Sequence, residues 1–272
     1  MIRRLCLCAI VTTAACLGSS PLTGPASRFN PRELNPPAPS APAAPDNLAT
    51  FCANHALVTF VIDDGAFTDY TIKKPIFDAH RAVAVAAIIS TRRGRYSVSD
   101  AHLLEMQADG WEIASHSRTH PDLTSLTQDD LEAEIGGSKA ELEARGFRVE
   151  AFVYPYGKGN PRVERMARQY YAATAQIGRG LNRWQRPDPF KLGRNVFGTQ
   201  YARPSENTLT FYETQVDSAR STGRWLIYAV HELIGADAQN LNDLLDYVRS
   251  RSVPIVTLSQ GIVLRNACRP AQ

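Results

Sequence analysis

The chain has 272 residues, with 30 basic against 27 acidic side chains and a formal net charge of +3. That length suits one large α/β domain or two small ones. The near balance of charge offers no basic block of the kind that binds phosphates, so no nucleic-acid partner is expected, while an anionic polymer is neither implied nor excluded. No internal repeat is present, and no apolar run reaches the roughly 20 residues that a membrane-spanning helix needs.

Arg3 and Arg4 precede an apolar run over residues 5–17, the pattern of a secretory signal, which we place at residues 1–20. Within it Thr13, Ala14, Ala15 and Cys16 resemble a bacterial lipoprotein cleavage box, with Thr13 where Leu is usual. Cys16 is therefore a candidate lipid anchor, and the membrane enters only through it. Residues 21–47 are rich in Pro, Ala and Ser and read as an extended linker. The folded domain is expected over residues 48–272, exported to the periplasm, the cell surface or the medium. Cys6, Cys8 and Cys16 belong to the leader, which leaves Cys52 and Cys268 at the ends of the domain. In an oxidising compartment these two are expected to form a disulfide, two unpaired thiols being the alternative.

The domain opens on a continuous apolar strand over residues 57–62, as in a parallel sheet buried on both faces. It delivers Asp63 and Asp64 to Gly65. Adjacent carboxylates repel unless a cation lies beside them; Asp-Gly is equally a common turn dipeptide. A helix is expected over residues 71–80 and a buried strand over 82–89. Ser99 caps a helix carrying Leu103, Leu104 and Met106, and residues 111–115 form a third strand. Thr127 and Asp130 have capping-box spacing and open a helix through Leu131, Ile135 and Leu142, which the pair Gly136 and Gly137 weakens and is expected to kink. Strand 149–153 follows, then a helix begun by Asn160 and Pro161. Short strands are expected at 171–175 and 192–196, and Ser205 is expected to cap the helix through Leu209, Tyr212 and Val216. Strand 225–230 ends in His231, and the helix at 241–251 precedes a last strand at 255–258. Seven or eight βα units in one domain indicate an α/β fold closed as a (β/α) barrel.

Three polar clusters fall at strand ends, where barrels place their chemistry. They are Asp63 with Asp64, the stretch Ser115-His116-Ser117-Arg118-Thr119-His120, and His231 with Glu232. Histidines four apart can present two imidazoles to one ion, although capping histidines share that spacing, and a lone histidine after a strand is often structural. Together, Asp64, His116 and His120 make the two-nitrogen, one-oxygen set of a catalytic zinc-type site with a position left for water, and Asp63 remains beside that water as a base.

Asp63-Asp64-Gly65, His116-Ser117-Arg118-Thr119-His120, Tyr154-Pro155-Tyr156-Gly157 and the late His231 together resemble the NodB-type polysaccharide deacetylases, carbohydrate esterase family 4, over residues 57–258. The resemblance implies a distorted (β/α) barrel of seven or eight strands, Asp63 as catalytic base, Asp64, His116 and His120 as ligands of a divalent metal such as Zn2+, and His231 as general acid. It also implies that the backbone N–H of Tyr156 holds the oxyanion. Many members carry an arginine before the Pro-Tyr motif to hold the base. Here Phe152-Val153 precede it, a variant similar to the poly-N-acetylglucosamine deacetylase branch, and Arg194 is a candidate for the missing cation. The family's Asp-rich stretch ending in Trp is not recognisable.

The implied activity is release of acetyl groups from N-acetylated sugars of a polysaccharide by a monomeric enzyme. Alternatives are an O-acetyl esterase acting on xylan-type glycans and a non-catalytic glycan-binding protein on the same fold. Trp184, Tyr154 and Phe67 are candidate sugar-packing aromatics, or equally parts of loop cores.

Overall fold

The computed structural model describes residues 56–178, 180–183 and 188–268. The expected leader, Cys16, the linker and Cys52 lie outside these residues, as does Trp184. Seven strands follow in chain order: β1 (Leu57–Ile62), β2 (Val85–Ile88), β3 (Glu112–Ser115), β4 (Ala151–Val153), β5 (Ala173–Ile177), β6 (Leu192–Phe197) and β7 (Trp225–Val230). Each pairs in parallel with the next. β7 returns to β1 in a register running from Leu57 opposite Trp225 to Ile62 opposite Val230, which closes the barrel.

The strand expected at 255–258 is not an eighth stave. Ile255 makes a single bridge to Val58, and Leu258 already begins a helix. β1 pairs with β2 only at Val61 and Ile62, so its first half is open to residues 254–256. There the Val58 N–H donates to Pro254 and the Val256 N–H donates back to the Val58 carbonyl. Thr257 and Gln260 then form a reciprocal capping box that turns the chain into a helix before a second bridge can form.

The strands alternate between two apolar environments. Leu57 and Val61 point into the barrel with Val85, Ala87, Ala114 and Ala151; Val58, Phe60 and Ile62 face the surrounding helices. Those helices are α1 (Lys74–Ala79, continuing a π-turn at Asp69–Lys73), α2 (Asp100–Ala108), α3 (Gln128–Glu143), α4 (Pro161–Tyr170), α5 (Leu209–Thr222), α6 (Asp237–Ser250) and α7 (Leu258–Ala267). Ser99, Thr127 and Asn160 cap α2, α3 and α4 as expected. Ser205 does not cap α5. It lies in a 3-10 turn at Pro204–Glu206, for which Pro204 supplies the fixed φ, and the cap moves to Thr208, whose side chain accepts from the Phe211 N–H. Gly136 and Gly137 leave α3 unbroken. Gly136 admits the Tyr170 ring of α4, 2.5 Å from where a Cβ would stand, whereas a Cβ at Gly137 would meet nothing closer than 4.0 Å.

One mouth of the barrel is sealed. The Trp225 ring fills the N-terminal end, its Nε1 donating to Thr59 Oγ1 at 2.9 Å. Helix α7 lies across it with Gly261 against the ring, where a Cβ would come within 2.4 Å. Glu112 at the foot of β3 accepts from the Ser259 N–H and hydroxyl, fixing the start of α7. Cys268 at the far end of α7 is disulfide-bonded; Cys52, its expected partner, is outside the described residues. The C-terminal mouth is left for chemistry.

Two glycines test this packing. In α7, Gly261→Ala gains about 1 kcal/mol of helix preference but drives a methyl into a buried indole, an overpacking that costs about 1–3 kcal/mol; its melting temperature should fall. Gly137→Ala meets no obstacle and should raise stability by about 0.5–1 kcal/mol. Thermal unfolding by circular dichroism reads both, and a rise for Gly261→Ala would contradict the seal described here.

Candidate active site

The inward alternation of β1, from Leu57 through Thr59 and Val61, continues to Asp63, which is buried just beyond the strand. Asp64 would then face the helices. Instead it takes a left-handed φ of 81°, and its Oδ1 lies 3.7 Å from Nε2 of both His116 and His120. Ser117, His120 and Tyr156 also have positive φ, at 64°, 66° and 56°. Such conformations cost non-glycine residues about 1–3 kcal/mol each and gather at functional sites.

The histidine loop follows β3. His116 donates from Nδ1 to the Val153 carbonyl at 2.8 Å, which leaves Nε2 as a bare lone pair. Burial pushes the His116 imidazole down to about 4, so it stays neutral. Its Nε2 is 3.2 Å from Nε2 of His120. One ligand atom from each of Asp64, His116 and His120 falls within 4.8 Å of the others. Two imidazole nitrogens and a carboxylate oxygen converging on one point fit a divalent cation, since without positive charge their lone pairs repel. The loop is held from α3: Glu134 accepts from the N–H groups of Arg118 and Thr119 and from the Thr119 hydroxyl, at 2.9, 2.8 and 2.6 Å. The Ser117 hydroxyl accepts the His120 N–H.

Asp63 has a different partner. Arg194, the third residue of β6 rather than its end, is buried and donates from Nη1 to Asp63 Oδ1 at 2.7 Å. Burial alone would push the Asp63 carboxyl up; Arg194, with His116 and His231 behind it, holds it below the usual carboxylate range. His231, directly after β7, brings Nε2 to 3.5 Å from Asp63 Oδ2. Burial draws its imidazole below the ordinary range, against the pull of Asp63 and then Asp64. Its Nδ1 is buried without a hydrogen-bond partner among the described residues.

All seven residues singled out in the sequence, Asp63, Asp64, His116, His120, Tyr156, Arg194 and His231, line one cavity of about 270 Å3. Two aromatic rings stand at its mouth. Tyr156 is 59% exposed and lies 4.7 Å from His120; Tyr201 is 58% exposed and lies 4.4 Å from His231. Tyr201 carries no local mark in the sequence, and reasoning from sequence passed over it. Tyr154, named instead as a sugar-packing aromatic, is buried against Phe152, because the residue following β4 still faces the helix layer. Phe67 is exposed but is not part of the cavity lining. Glu134 was missed as well, since nothing in the α3 pattern distinguishes it from a surface glutamate.

Residues 51–174 match the family model described as polysaccharide deacetylase. That stretch, which carries Asp63, Asp64, His116, His120 and Tyr156, is similar to these enzymes. A curated relative, the uncharacterized protein YlxY of Bacillus subtilis (strain 168), is 26% identical over 143 residues, which make up 52% of this chain and 44% of the relative. The match thus spans less than half the relative's length. Among solved structures, the Xyl-CE4 domain of a multidomain xylanase from the hindgut metagenome of Trinervitermes trinervoides superposes with a TM-score of 0.59 at 18% identity, covering 78% of this chain and 92% of that one. The peptidoglycan deacetylase PdaC of Bacillus subtilis gives 0.57 at 16%, covering 79% and 93%. At such identities the likeness is one of fold.

Glu134 is absent from the cavity lining, yet three donors of the histidine loop end on it. Glu134→Ala should weaken divalent-cation binding about 10- to 100-fold, as losses behind a ligand shell commonly do, with the fold retained. Titration of the metal-free protein with Zn2+ reads this; equal affinity in a folded variant would contradict the positioning role.

Proposed function

We propose that the protein is an exported, Zn2+-dependent hydrolase that removes acetyl groups from N-acetylated sugar residues of a polysaccharide. The observation that carries this reading is the split between two consecutive carboxylates, Asp63 tied to Arg194 and Asp64 turned to two imidazole nitrogens. A glycan-binding protein has no use for that division.

Asp64, His116 and His120 would hold the ion, a donor set that suits zinc. Bound there, a divalent cation supplies Lewis-acid polarisation of the acyl carbonyl and makes water in the cavity more acidic. Asp63, kept ionised by Arg194, accepts the proton as water oxygen adds to the acyl carbon. The Tyr156 N–H would donate to the oxyanion that forms; its cavity-lining position supports this. When the carbon–nitrogen bond breaks, His231, as imidazolium, gives its proton to the departing amine. Acetate and a free amino sugar result. An alkoxide leaves more readily than an amide nitrogen, so a histidine acid beside the base, 3.5 Å from Asp63 Oδ2, favours N-acetyl over O-acetyl substrates. The variant before the Pro-Tyr motif supports an N-acetylglucosamine polymer as that substrate, and a lipid on Cys16 would hold the enzyme at a membrane.

The two aspartates discriminate catalysis from binding. Asp63→Asn should retain Zn2+ and lose about 10²- to 10⁴-fold in acetate release, the usual worth of a general base. Asp64→Asn should lose Zn2+ affinity and activity together, with partial recovery in excess Zn2+. No acetate from any acetylated glycan with the zinc-loaded protein, or metal loss in Asp63→Asn alone, would contradict the reading.

A further inference from the structure

The catalytic cavity continues past Arg194. A second cavity of about 400 Å3 adjoins it, within the size range of small-ligand sites. Ile177, Arg194, Val196 and Tyr201 line both. The second cavity runs from the end of β5 over β6 to α5, and its walls mix apolar surface with polar groups. Val196 and Phe211 supply the first; Asn195, Thr214 and Gln215 supply the second. Gln215 Oε1 is buried there without a hydrogen-bond partner among the described residues. A buried acceptor left unpaired is costly, and a ligand donor would relieve it. The charges in the lining are compensated: Arg203 lies 3.6 Å from Glu206, and Arg194 is bound to Asp63. A polyanion would gain little from such a surface.

Apolar wall, aromatic ring and unfilled acceptor match a pyranose, which offers an apolar face of C–H bonds and a rim of hydroxyl donors. Resting on the deacetylase reading, we propose that this cavity binds the sugar next to the acetylated one in the same glycan chain, with Tyr201 as the platform between them. Continuity chooses this occupant. In a polymer the neighbouring sugar stands one glycosidic bond from the acetylated unit, and the second cavity opens from the first at Tyr201, whose ring leans on His231 while most of it faces solvent. The enzyme would then read chain as well as acetyl group.

Thr214 and Ser218 are exposed on α5 and face this cavity, so a tryptophan at either position fills it from outside the core. The test is acetate release by the zinc-loaded full chain from N-acetylglucosamine and from its β-1,4- and β-1,6-linked tetramers. The wild type should prefer a tetramer by about tenfold or more in kcat/KM, and Thr214→Trp and Ser218→Trp should bring that ratio to about twofold or less. Melting curves confirm that the variants fold. A wild type with no preference for length, or a preference that survives both substitutions, overturns the proposal while the deacetylase reading stands. Should the wild type release acetate from none of these substrates, the deacetylase reading is what fails. Calorimetric titration with the tetramers then decides the cavity: binding lost in Thr214→Trp supports a glycan site, and no binding to the wild type overturns it.

Discussion

A guanidinium and a carboxylate, both almost wholly removed from water, face each other 2.7 Å apart in the upper part of this barrel. Neither Arg194 nor Asp63 is tolerable there alone: losing one partner of a buried pair costs about 3–5 kcal/mol. Their mutual requirement decides the rest of the site. Asp63 gives Oδ1 to Arg194 and, of His116 and His120, holds Oδ2 near His116 alone, at 3.9 Å, whereas Asp64, 3.7 Å from both, is the carboxylate that faces both imidazoles. The same guanidinium keeps Asp63 ionised where burial would neutralise it. One cation inside the barrel thus gives two neighbouring, chemically identical side chains different partners.

The barrel is built to allow this. Its interior is lined by small and medium residues such as Ala87, Ala114, Ala151 and Ala175, and Trp225 with α7 closes the lower end. The long arginine side chain therefore has room inside the wall at β6 and can reach a carboxylate delivered by β1. Strand and loop then divide the work. The strands aim Asp63 and Arg194 by alternation, while left-handed residues at Asp64, Ser117, His120 and Tyr156 bring in what alternation cannot. Glu134 secures the loop that carries two of them, Ser117 and His120, from the helix layer.

What could be read from sequence depended on how local each signal was. β1 with its two aspartates, the paired histidines and His231 were legible because each sits at the end of an apolar run that announces a buried strand. The caps at Ser99, Thr127 and Asn160 were legible for a similar reason, since a polar residue followed by a helical pattern needs no distant partner. Arg194 became a candidate only through the resemblance, as a stand-in for the arginine missing before the Pro-Tyr motif, because its partner Asp63 is 131 residues away in sequence. The strand expected at 255–258 was an apolar run read ahead of its own stop signal, for Thr257 and Gln260 already carried the spacing of a capping box. Tyr201 and Glu134 had no such mark. Their roles come from what the closed barrel sets beside them, a histidine ring in one case and three loop donors in the other. Tyr154 failed for the opposite reason: its place in a motif drew attention that its buried ring does not warrant.

Asp64, not Asp63, is the carboxylate we propose for the metal. Anomalous diffraction at the zinc edge from crystals of the Zn2+-loaded protein tests it without recourse to activity. We expect one strong peak bonded to Asp64, His116 and His120, with Asp63 outside ligand distance and still paired to Arg194. A peak bonded to Asp63 with its link to Arg194 broken, or no peak among these residues, would contradict the account.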